Sequence, residues 1–414
     1  MRSLFHFRIK EIRRRLGPGI ITGASDDDPS GILTHLIAGA QTGLSLLWLP
    51  LVTIPLMTSI QEMCARIGLV TKRGLMGNLK LRAPKLLLYL IAILVFSANT
   101  FNLAADLSGI VATLGLILPV PPIFLGLTII SLILISLIFF SYKKLALIFR
   151  WLTLPLLAYF AAAFLSGISI KDMLFHTFIP QIEFNKTTLI IITALLGTII
   201  SPYLFFWQTN QEIEEKNISQ NLSSGQEIKN MRLDIILGMI LSNLVGYFII
   251  ATASATFHQQ GITSLATIDQ ATRSLAPLAG QFATLLFAIG LLGTGVLAIP
   301  VLAGSAAYVI SESFGWPEGL DRKFGQARNF YLVIIFSSLL GLALSLLELD
   351  PVKLLFYTAV VYGVLSPLLI LLILVIANNK SIMGDKVNGR LSNLGSLITF
   401  LVMSSAAAGL LFTR

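Results

Sequence analysis

The chain has 414 residues, of which 55% are hydrophobic and only 12% are charged, and its mean hydropathy is +0.85. Soluble domains carry roughly 25% charged residues, so this composition excludes a soluble globular protein. The formal net charge is +9, and a single cysteine, Cys64, excludes a disulfide framework and a cysteine-based metal site.

Apolar runs recur along the whole chain, and each is long enough to cross a hydrocarbon core about 30 Å thick. They predict eleven membrane-spanning helices, called spans 1 to 11 below. The spans lie at residues 17–42, 44–65, 86–115, 123–141, 145–167, 187–209, 232–256, 281–312, 329–348, 352–378 and 391–413. We expect residues 1–16 to form a cytoplasmic basic segment, because they lead into a full-length span without a signal-peptide cleavage site.

Lysine and arginine are distributed unevenly between the two sides of this predicted topology. Of the 29 such residues, 24 fall on the side where the chain begins. The other side holds only Lys171, Lys186, Arg273, Lys353 and Arg414. Because positive residues stay cytoplasmic, we expect a multi-pass protein of the plasma (inner) membrane with its N-terminus inside and its C-terminus outside. The net charge is then a topology signal and predicts no nucleic-acid partner.

Span 1 contains three consecutive carboxylates at residues 26–28, which are followed by Pro29-Ser30-Gly31. A carboxylate at the centre of a bilayer costs roughly 2.5–3.5 kcal/mol, and proline and glycine both weaken a helix. We therefore expect span 1 to unwind at this point. Irregular backbone survives at membrane depth where it lines a cavity, and the two half-helices then present opposite dipole ends to a bound ion.

Span 3 carries Asn99, Asn102 and Asp106 in an otherwise apolar run, spaced so that they share one helix face. An intramembrane aspartate is a functional candidate by default, here for ion coupling or an ion pathway. The alternative is a structural ion pair between Asp106 and Arg328 at the start of span 9.

A proline also interrupts span 6, within Ser201-Pro202-Tyr203, and Trp207 and Gln208 follow on the same helix. Spans 1 and 6 are the equivalent members of two five-helix halves. Matched interruptions there are typical of transporters with inverted repeats and a binding site at the midplane of the bilayer. No nucleophile–base set, phosphate-binding glycine loop or soft metal cluster is apparent, so we expect no enzyme.

Two further groups of charged residues lie near the predicted cytoplasmic ends of spans. Glu62 and Arg66 are spaced as an i,i+4 ion pair on span 2. We expect the glutamates that end span 6 to be solvated; they are Glu212, Glu214 and Glu215.

At these residues the sequence resembles the NRAMP (natural resistance-associated macrophage protein) family of metal-ion transporters. The motifs that carry the resemblance are Gly17-Pro18-Gly19, Asp28-Pro29, Ala38-Gly39-Ala40-Gln41-Thr42-Gly43, residues 61–71, Ala105-Asp106-Leu107 and Leu302-Ala303-Gly304. The resemblance implies an all-α polytopic membrane protein of the LeuT-type fold, with an ion held where spans 1 and 6 unwind. It also implies that residues 17–167 (spans 1–5) and 187–378 (spans 6–10) are inverted repeats, followed by span 11.

The sequence departs from this family at the expected ion ligands. Asp28 matches the family's aspartate, but Gly31 replaces its asparagine, and Ser201 and Tyr203 replace a methionine and a histidine. Three further family residues, a second histidine, a span-10 glutamine and a span-3 glutamate, fall on Gln208, Ala359 and Gly109. Because methionine selects soft metals and histidine titrates near neutral pH, we do not expect classical proton-coupled Mn or Fe transport.

Two substrates fit these departures. We favour from the sequence a small oxyanion such as bicarbonate, with Na⁺ as the coupling ion on Asp28. Its donors would be Ser30, Ser201, Tyr203, Gln208 and Trp207. The alternative is a hard divalent cation, hydrated Mg²⁺ or also Mn²⁺, held by Asp28 with Asp27 nearby, in a site that Gly31 and Ser201 enlarge.

A different class of function on the same fold is a channel or a receptor that transports nothing. Trans-stimulation of uptake would distinguish a carrier from either. Apart from Na⁺ as a coupling ion we expect no cofactor, and we expect the partners to be the ion and the lipid bilayer, with a monomer as the simplest assembly.

Overall fold

The computed structural model describes residues 18–140, 154–183, 185–218, 224–347 and 349–412. Within these ranges every regular element is a helix, as the composition predicts. The first half of the chain forms α1 Pro18–Asp26, α2 Pro29–Thr42, α3 Leu49–Thr71, α4 Leu75–Lys80, α5 Lys85–Gly115, α6 Pro122–Phe139, α7 Ala158–Leu165 and α8 Ile170–Phe178. The second half forms α9 Lys186–Ile199, α10 Pro202–Ile218, α11 Ser224–Thr256, α12 Ile268–Thr272, α13 Ala276–Ala279, α14 Ala283–Phe314, α15 Arg328–Ser345, α16 Pro351–Ala377, α17 Lys380–Met383 and α18 Arg390–Phe412.

The described helices agree with a polytopic membrane protein. Eight helical segments are long and apolar enough to cross a bilayer, or nine if the pair α7–α8, bent by 113°, forms one span. Span 1 is divided between α1 and α2, so neither half has the length of a full span. The number eleven and the division into two repeats stay predictions, because residues 1–16 and 145–153 lie outside the described residues.

Several predicted boundaries are wrong. Span 2 runs from Leu49 to Thr71 instead of 44–65, because residues 44–48 form turns closed by hydrogen bonds between residues i and i+3. The segment between predicted spans 6 and 7, residues 210–231, is largely helical, since α10 continues to Ile218 and α11 begins at Ser224. Charged residues mark where the apolar runs end, but the helices continue past those points.

Helix α11 packs along both halves of the broken span 1 and also against α3. Glycines allow this close approach: a Cβ on Gly23 would lie 2.4 Å from Gly238 O, and one on Gly238 would lie 2.2 Å from Gly19 O. On the other half-helix, a Cβ on Gly39 would lie 2.4 Å from Ile250 O. Small residues let membrane helices approach backbone to backbone in this way, so α1, α2 and α11 form one glycine seam.

The remaining long helices surround this group. Helix α5 packs against α14, α15 and α16, while α9 packs against α16, and α18 covers α3 and α16. Spans 1 and 6 both break, at residues 27–28 and 200–201, as the sequence predicts. The break in span 1 lies beside α5, because Ser30 N donates a hydrogen bond to Asp106.

The predicted pair Glu62–Arg66 is confirmed and belongs to a larger network. Arg66 Nε lies 3.1 Å from Glu62 Oε1, and Arg232 Nε lies 3.0 Å from the same oxygen. Arg66 also donates to Lys386 O at 2.8 Å and to the side chain of Asn388. The network therefore fixes the segment before α18 to α3 and α11.

The expectation that the glutamates ending span 6 are solvated is wrong for two of them. Glu212 and Glu214 are buried. Glu214 accepts hydrogen bonds from Leu320 N at 2.8 Å and from the Tyr308 hydroxyl, and Glu212 accepts from Gln208 Nε2 at 2.9 Å. Because α10 continues as a helix past its predicted end, both side chains are packed inside the protein, and Glu214 contacts α14.

Candidate functional site

The break in span 1 is built around Asp28. Asp28 is the N-cap of α2, with extended backbone at φ −68° and ψ 170°. Its Oδ1 accepts hydrogen bonds from Gly31 N at 2.6 Å and from the Ser30 hydroxyl at 2.8 Å. An aspartate at the N-cap and a proline at the first helical position, Pro29, both favour a helix start, so the local sequence determines where α2 begins.

Helix α5 presents Asn102 and Asp106 to this break. Asn102 Nδ2 donates to Asp28 Oδ2 at 2.8 Å, and Ser30 N donates to Asp106 Oδ1 at 3.2 Å. The other oxygens, Asn102 Oδ1 and Asp106 Oδ2, are buried without a hydrogen-bond partner. A buried acceptor without a donor costs about 1–3 kcal/mol, so two of them beside a carboxylate indicate a place for a cation.

The structural alternative for Asp106 is wrong. Arg328 is exposed at the start of α15, whereas Asp106 is fully buried and bonded to the backbone of Ser30. Asn99, one turn before Asn102, accepts from the Tyr362 hydroxyl at 3.0 Å and donates to Ser305 at 3.2 Å. The predicted polar face of span 3 therefore contacts both the break and α14 and α16.

The break in span 6 is held by hydroxyl groups. Tyr203 Oη donates to Ser25 O at 2.6 Å and joins α10 to the last turn of α1. Ser201 Oγ donates to Thr198 O at 2.5 Å, and Ser366 Oγ on α16 donates to Ile200 O at 3.0 Å. Backbone carbonyls that lose their helical partner must be satisfied inside a membrane, and these side chains satisfy them.

Asp26 and Asp27 lie on the opposite side of the break, towards α11. Ser242 Oγ is 3.1 Å from Asp26 Oδ2 and 3.4 Å from Asp27 Oδ1. The four acids at 26–28 and 106 are each at most 5% exposed. In the described part of the chain no lysine or arginine forms an ion pair with any of them. Such a set of acids strongly favours a positively charged ligand.

Most of the predicted site residues are brought together at the two breaks. They are Asp27, Asp28, Ser30, Gly31, Asn102, Asp106, Ser201 and Tyr203. Two are placed elsewhere on α10: Gln208 accepts from Thr22 Oγ1 at 2.5 Å and donates to Glu212, and the Trp207 ring lies against Gly304. Sequence spacing alone could not assign these two side chains to a helix face.

The glycine at position 31 does not leave an open space. A Cβ there would lie 2.9 Å from Asp26 O, 3.0 Å from Thr198 Oγ1 and 3.3 Å from Asp28 Oδ1. The expectation that Gly31 enlarges the site is therefore wrong for this conformation, because oxygens of both breaks approach it.

Sequence reasoning missed Ser242, Thr198 and Tyr362, which contact the site from other helices. A single hydroxyl in an apolar span gives no signal of its own, because such residues also bond their own helix backbone. Only the three consecutive carboxylates could have pointed to partners on a neighbouring helix.

The described residues contain no group of three or more histidine, cysteine, aspartate or glutamate side chains that could hold a metal ion. The oxygens around Asp28 thus do not form a closed protein cage. They suit an ion that keeps several waters and takes one or two carboxylates, which is how proteins bind Mg²⁺.

Comparison with known proteins finds relatives that match over nearly the whole chain. The model of the family described as natural resistance-associated macrophage protein-like matches residues 19–413. The divalent metal cation transporter MntH of Erwinia tasmaniensis is 25% identical over 402 residues, covering 94% of this chain and 92% of its own. MntH of Caldanaerobacter subterraneus subsp. tengcongensis is 25% identical over 405 residues, covering 95% and 92%.

Solved structures agree on the fold. The manganese transporter of Eremococcus coleocola superposes with a TM-score of 0.75 at 17% identity, covering 95% of this chain and 85% of that one. Mhp1, a nucleobase-cation-symport-1 family transporter, superposes with a TM-score of 0.52 at 14% identity, covering 96% and 91%. These likenesses confirm the LeuT-type fold that the sequence predicts.

Proposed function

The chain belongs to the natural resistance-associated macrophage protein-like (Nramp) family of transporters, and we propose that it carries a hard divalent metal cation across the membrane without proton coupling. Relatives that match over nearly the whole chain are named divalent metal cation transporters, which supports a metal as the substrate.

The observation that carries the proposal is the pair of unpartnered oxygens beside Asp28. Asn102 Oδ1 and Asp106 Oδ2 accept no hydrogen bond, and Asp28 Oδ2 accepts only the amide of Asn102 among the bonds described. All three groups are oxygen ligands, which suit hard cations such as Mg²⁺ and Mn²⁺. Serine and tyrosine stand where the family resemblance implies methionine and histidine, so soft-metal selectivity loses its chemical basis.

The oxyanion hypothesis has less support. Its proposed donors are engaged with protein acceptors: Ser30 with Asp28, Tyr203 with Ser25 O, and Ser201 with Thr198 O. An anion would also face four buried carboxylates, and like charges at close range disfavour binding. The site as built therefore supports a cation better than bicarbonate.

We base the absence of proton coupling on two replacements at span 6. Gln208 and Tyr203 replace the histidines that the resemblance implies, and neither titrates near neutral pH. A carrier with this site would move its cation down the electrochemical gradient of that cation.

Uptake into proteoliposomes tests the proposal. We expect saturable, trans-stimulated uptake of Mg²⁺ and Mn²⁺ that a pH gradient does not change. Asp28→Asn should lower uptake at least about tenfold, as loss of a metal ligand does. The matched variant Asp385→Asn, at an exposed position, should transport normally. Proton-driven Mn²⁺ uptake would contradict the proposal, and Na⁺-dependent bicarbonate uptake would restore the oxyanion hypothesis.

A further inference from the structure

We infer that Asp26 and Asp27, together with Ser242 and Ser201, form a second site for a hard metal cation, apart from the Asp28 site. This inference rests on the proposed function, since it adds a further cation at the same pair of broken helices. The family resemblance accounts only for Asp28 at this break, whereas this chain has three aspartates in succession.

The two acids have fewer hydrogen-bond donors than they need. Ser242 Oγ lies within reach of Asp26 Oδ2 and Asp27 Oδ1, at 3.1 and 3.4 Å, but its one proton serves only one of them. Asp26 Oδ1 is buried without any hydrogen-bond partner, and Asp26 is only 4% exposed. A proton or a bound cation offsets the cost of removing such a carboxylate from water, and we assign a cation to this place.

Ser201 supplies an independent indication from the other broken span. Its hydroxyl lies within hydrogen-bond reach of the Asp26 carboxylate and also of Thr198 O, the latter at 2.5 Å. Its one proton serves only one of these two acceptors, and its oxygen keeps lone pairs that can ligate a cation beside Asp26. Helix α1 also ends at Asp26, so the negative end of its dipole points to the same place.

This position is separate from the Asp28 site in its helices and in its bonding. Asp28 is bonded to α2 and to Asn102 on α5, whereas Asp26 and Asp27 share Ser242 on α11. The orphaned oxygens also fall into two groups, with Asn102 and Asp106 on one side and Asp26 on the other.

The ligand class follows from the atoms. Carboxylate and hydroxyl oxygens select hard cations, and Na⁺ and Mg²⁺ share that chemistry. A single divalent cation at Asp28 would offset two of the four buried acids, so a second cation would further reduce the uncompensated charge. The experiment below distinguishes Na⁺ from a second divalent ion.

The test is equilibrium dialysis of the purified full-length chain at fixed pH with labelled Na⁺ alone, Mg²⁺ alone, and both. We expect two cations per chain at saturation, either one Na⁺ with one Mg²⁺ or two Mg²⁺. A single bound cation in every arm would overturn the inference.

The double variant Asp26→Asn, Asp27→Asn should lose one cation and keep the other, because Asn preserves shape and removes charge. Ser242→Ala should weaken the second cation about tenfold, the usual effect of losing a supporting group. If the double variant fails to fold, as judged by gel filtration and heat unfolding, the binding of cations by Ser242→Ala tests the second site instead. Unchanged binding in the folded variants would contradict the inference.

Failure of this inference and failure of the proposed function give different results. If Asp28→Asn abolishes uptake while the wild-type chain binds one cation, the proposed function stands and the second site does not exist. If the wild-type chain binds no divalent cation at all, both are wrong. Asp385→Asn is the matched control and should retain both cations.

Discussion

Asp28 is both a structural and a chemical group, and its bonding limits what it can bind. A carboxylate offers about four lone-pair sites, and in this conformation three are used by Ser30, Gly31 and Asn102. One site remains for a cation unless a donor moves away. The nearby orphaned oxygens would supply the rest, so the cation would share Asp28 with the N-cap of α2.

Replacing Gly31 by the asparagine that the family resemblance implies is the most direct test of this site at the scale of a single residue. In Gly31→Asn, the new Cβ would meet Asp26 O at 2.9 Å, a backbone atom that cannot move cheaply. We expect cation uptake to fall at least about tenfold, with a loss of stability of roughly 1–3 kcal/mol from overpacking. Uptake assays and heat unfolding in detergent measure both.

Gly31→Ala is the graded control for that prediction. It adds the same Cβ without the amide, so it should show the stability loss and a smaller loss of uptake. A gain of proton-coupled Mn²⁺ uptake in Gly31→Asn would show instead that the missing asparagine alone sets the substrate.

The sequence predicts some site residues and misses others for a physical reason. Asp28 is predictable because a carboxylate before a proline in an apolar span has few explanations. Ser242 is not, because its partner lies 216 residues earlier in the chain. The orientation of Gln208 also depends on how α10 packs, which its own spacing does not determine.

At the scale of helices, we predict that adding a side chain in the glycine seam destabilises the protein. Gly23→Ala would place a Cβ 2.4 Å from Gly238 O, and both atoms belong to packed helices. A glycine-to-alanine substitution usually stabilises an exposed helix by about 1 kcal/mol. In the glycine seam we expect the same substitution to destabilise the protein, because the new Cβ has no room. We expect Gly23→Ala to lower the unfolding temperature and cation uptake together.

The matched substitution is Gly290→Ala in α14, where the nearest atom would be Pro155 Cβ at an ordinary 3.8 Å. It should leave the unfolding temperature unchanged or raise it. Equal effects of the two substitutions would argue against the seam as a packing constraint.

The segment between α14 and α15 contains a carboxylate in an unfavourable environment. Burial raises the pKa of Glu318 well above its usual range, the charges of Glu312 and Glu214 raise it further, and Arg322 lowers it. Above the usual glutamate pKa of about 4.3, the unfolded chain releases this proton more readily than the folded one. Ionisation of Glu318 therefore favours unfolding as pH rises.

Glu318→Gln should consequently raise the unfolding temperature at pH 8, and the difference from wild type should disappear towards pH 4. Heat unfolding followed across that pH range is the measurement. Glu183→Gln, at an exposed position, should show no such trend. A variant that is less stable at pH 8 would show that the Glu318 charge is stabilised by its surroundings.

Helix breaks were predictable and helix ends were not. Proline fixes its own backbone angle and removes a donor, so Pro29 and Pro202 mark the starts of α2 and α10 directly. The ends of α3, α10 and α11 extend beyond the apolar runs, because a helix needs only its own backbone bonds to continue. Burial of Glu212 and Glu214 follows from that continuation.

At the scale of the whole molecule, the network around Glu62 connects parts of the chain that are 320 residues apart. The Arg66 side chain is only 5% exposed, so Glu62→Gln would leave a buried guanidinium without its carboxylate. Breaking a buried pair costs roughly 3–5 kcal/mol, and we expect a loss near the lower value because Lys386 O remains as an acceptor. Chemical or heat unfolding in detergent measures it.

An exposed pair provides the comparison. Asp269 and Arg273 are 52% and 69% exposed, so Asp269→Asn should cost less than about 1 kcal/mol. If Glu62→Gln costs no more than that, the network does not hold the segment before α18 in place.

The four acids buried at the helix breaks also make the membrane voltage a force on this protein. Moving one elementary charge across 100 mV is worth about 2.3 kcal/mol, and an unloaded site with ionised acids would carry such charge. In a cell with a negative interior, voltage would push the empty site towards the outer face. Loading one divalent cation would offset two of those four charges and so weaken the push, which makes the inward return easier for the loaded site than for the empty one and favours import.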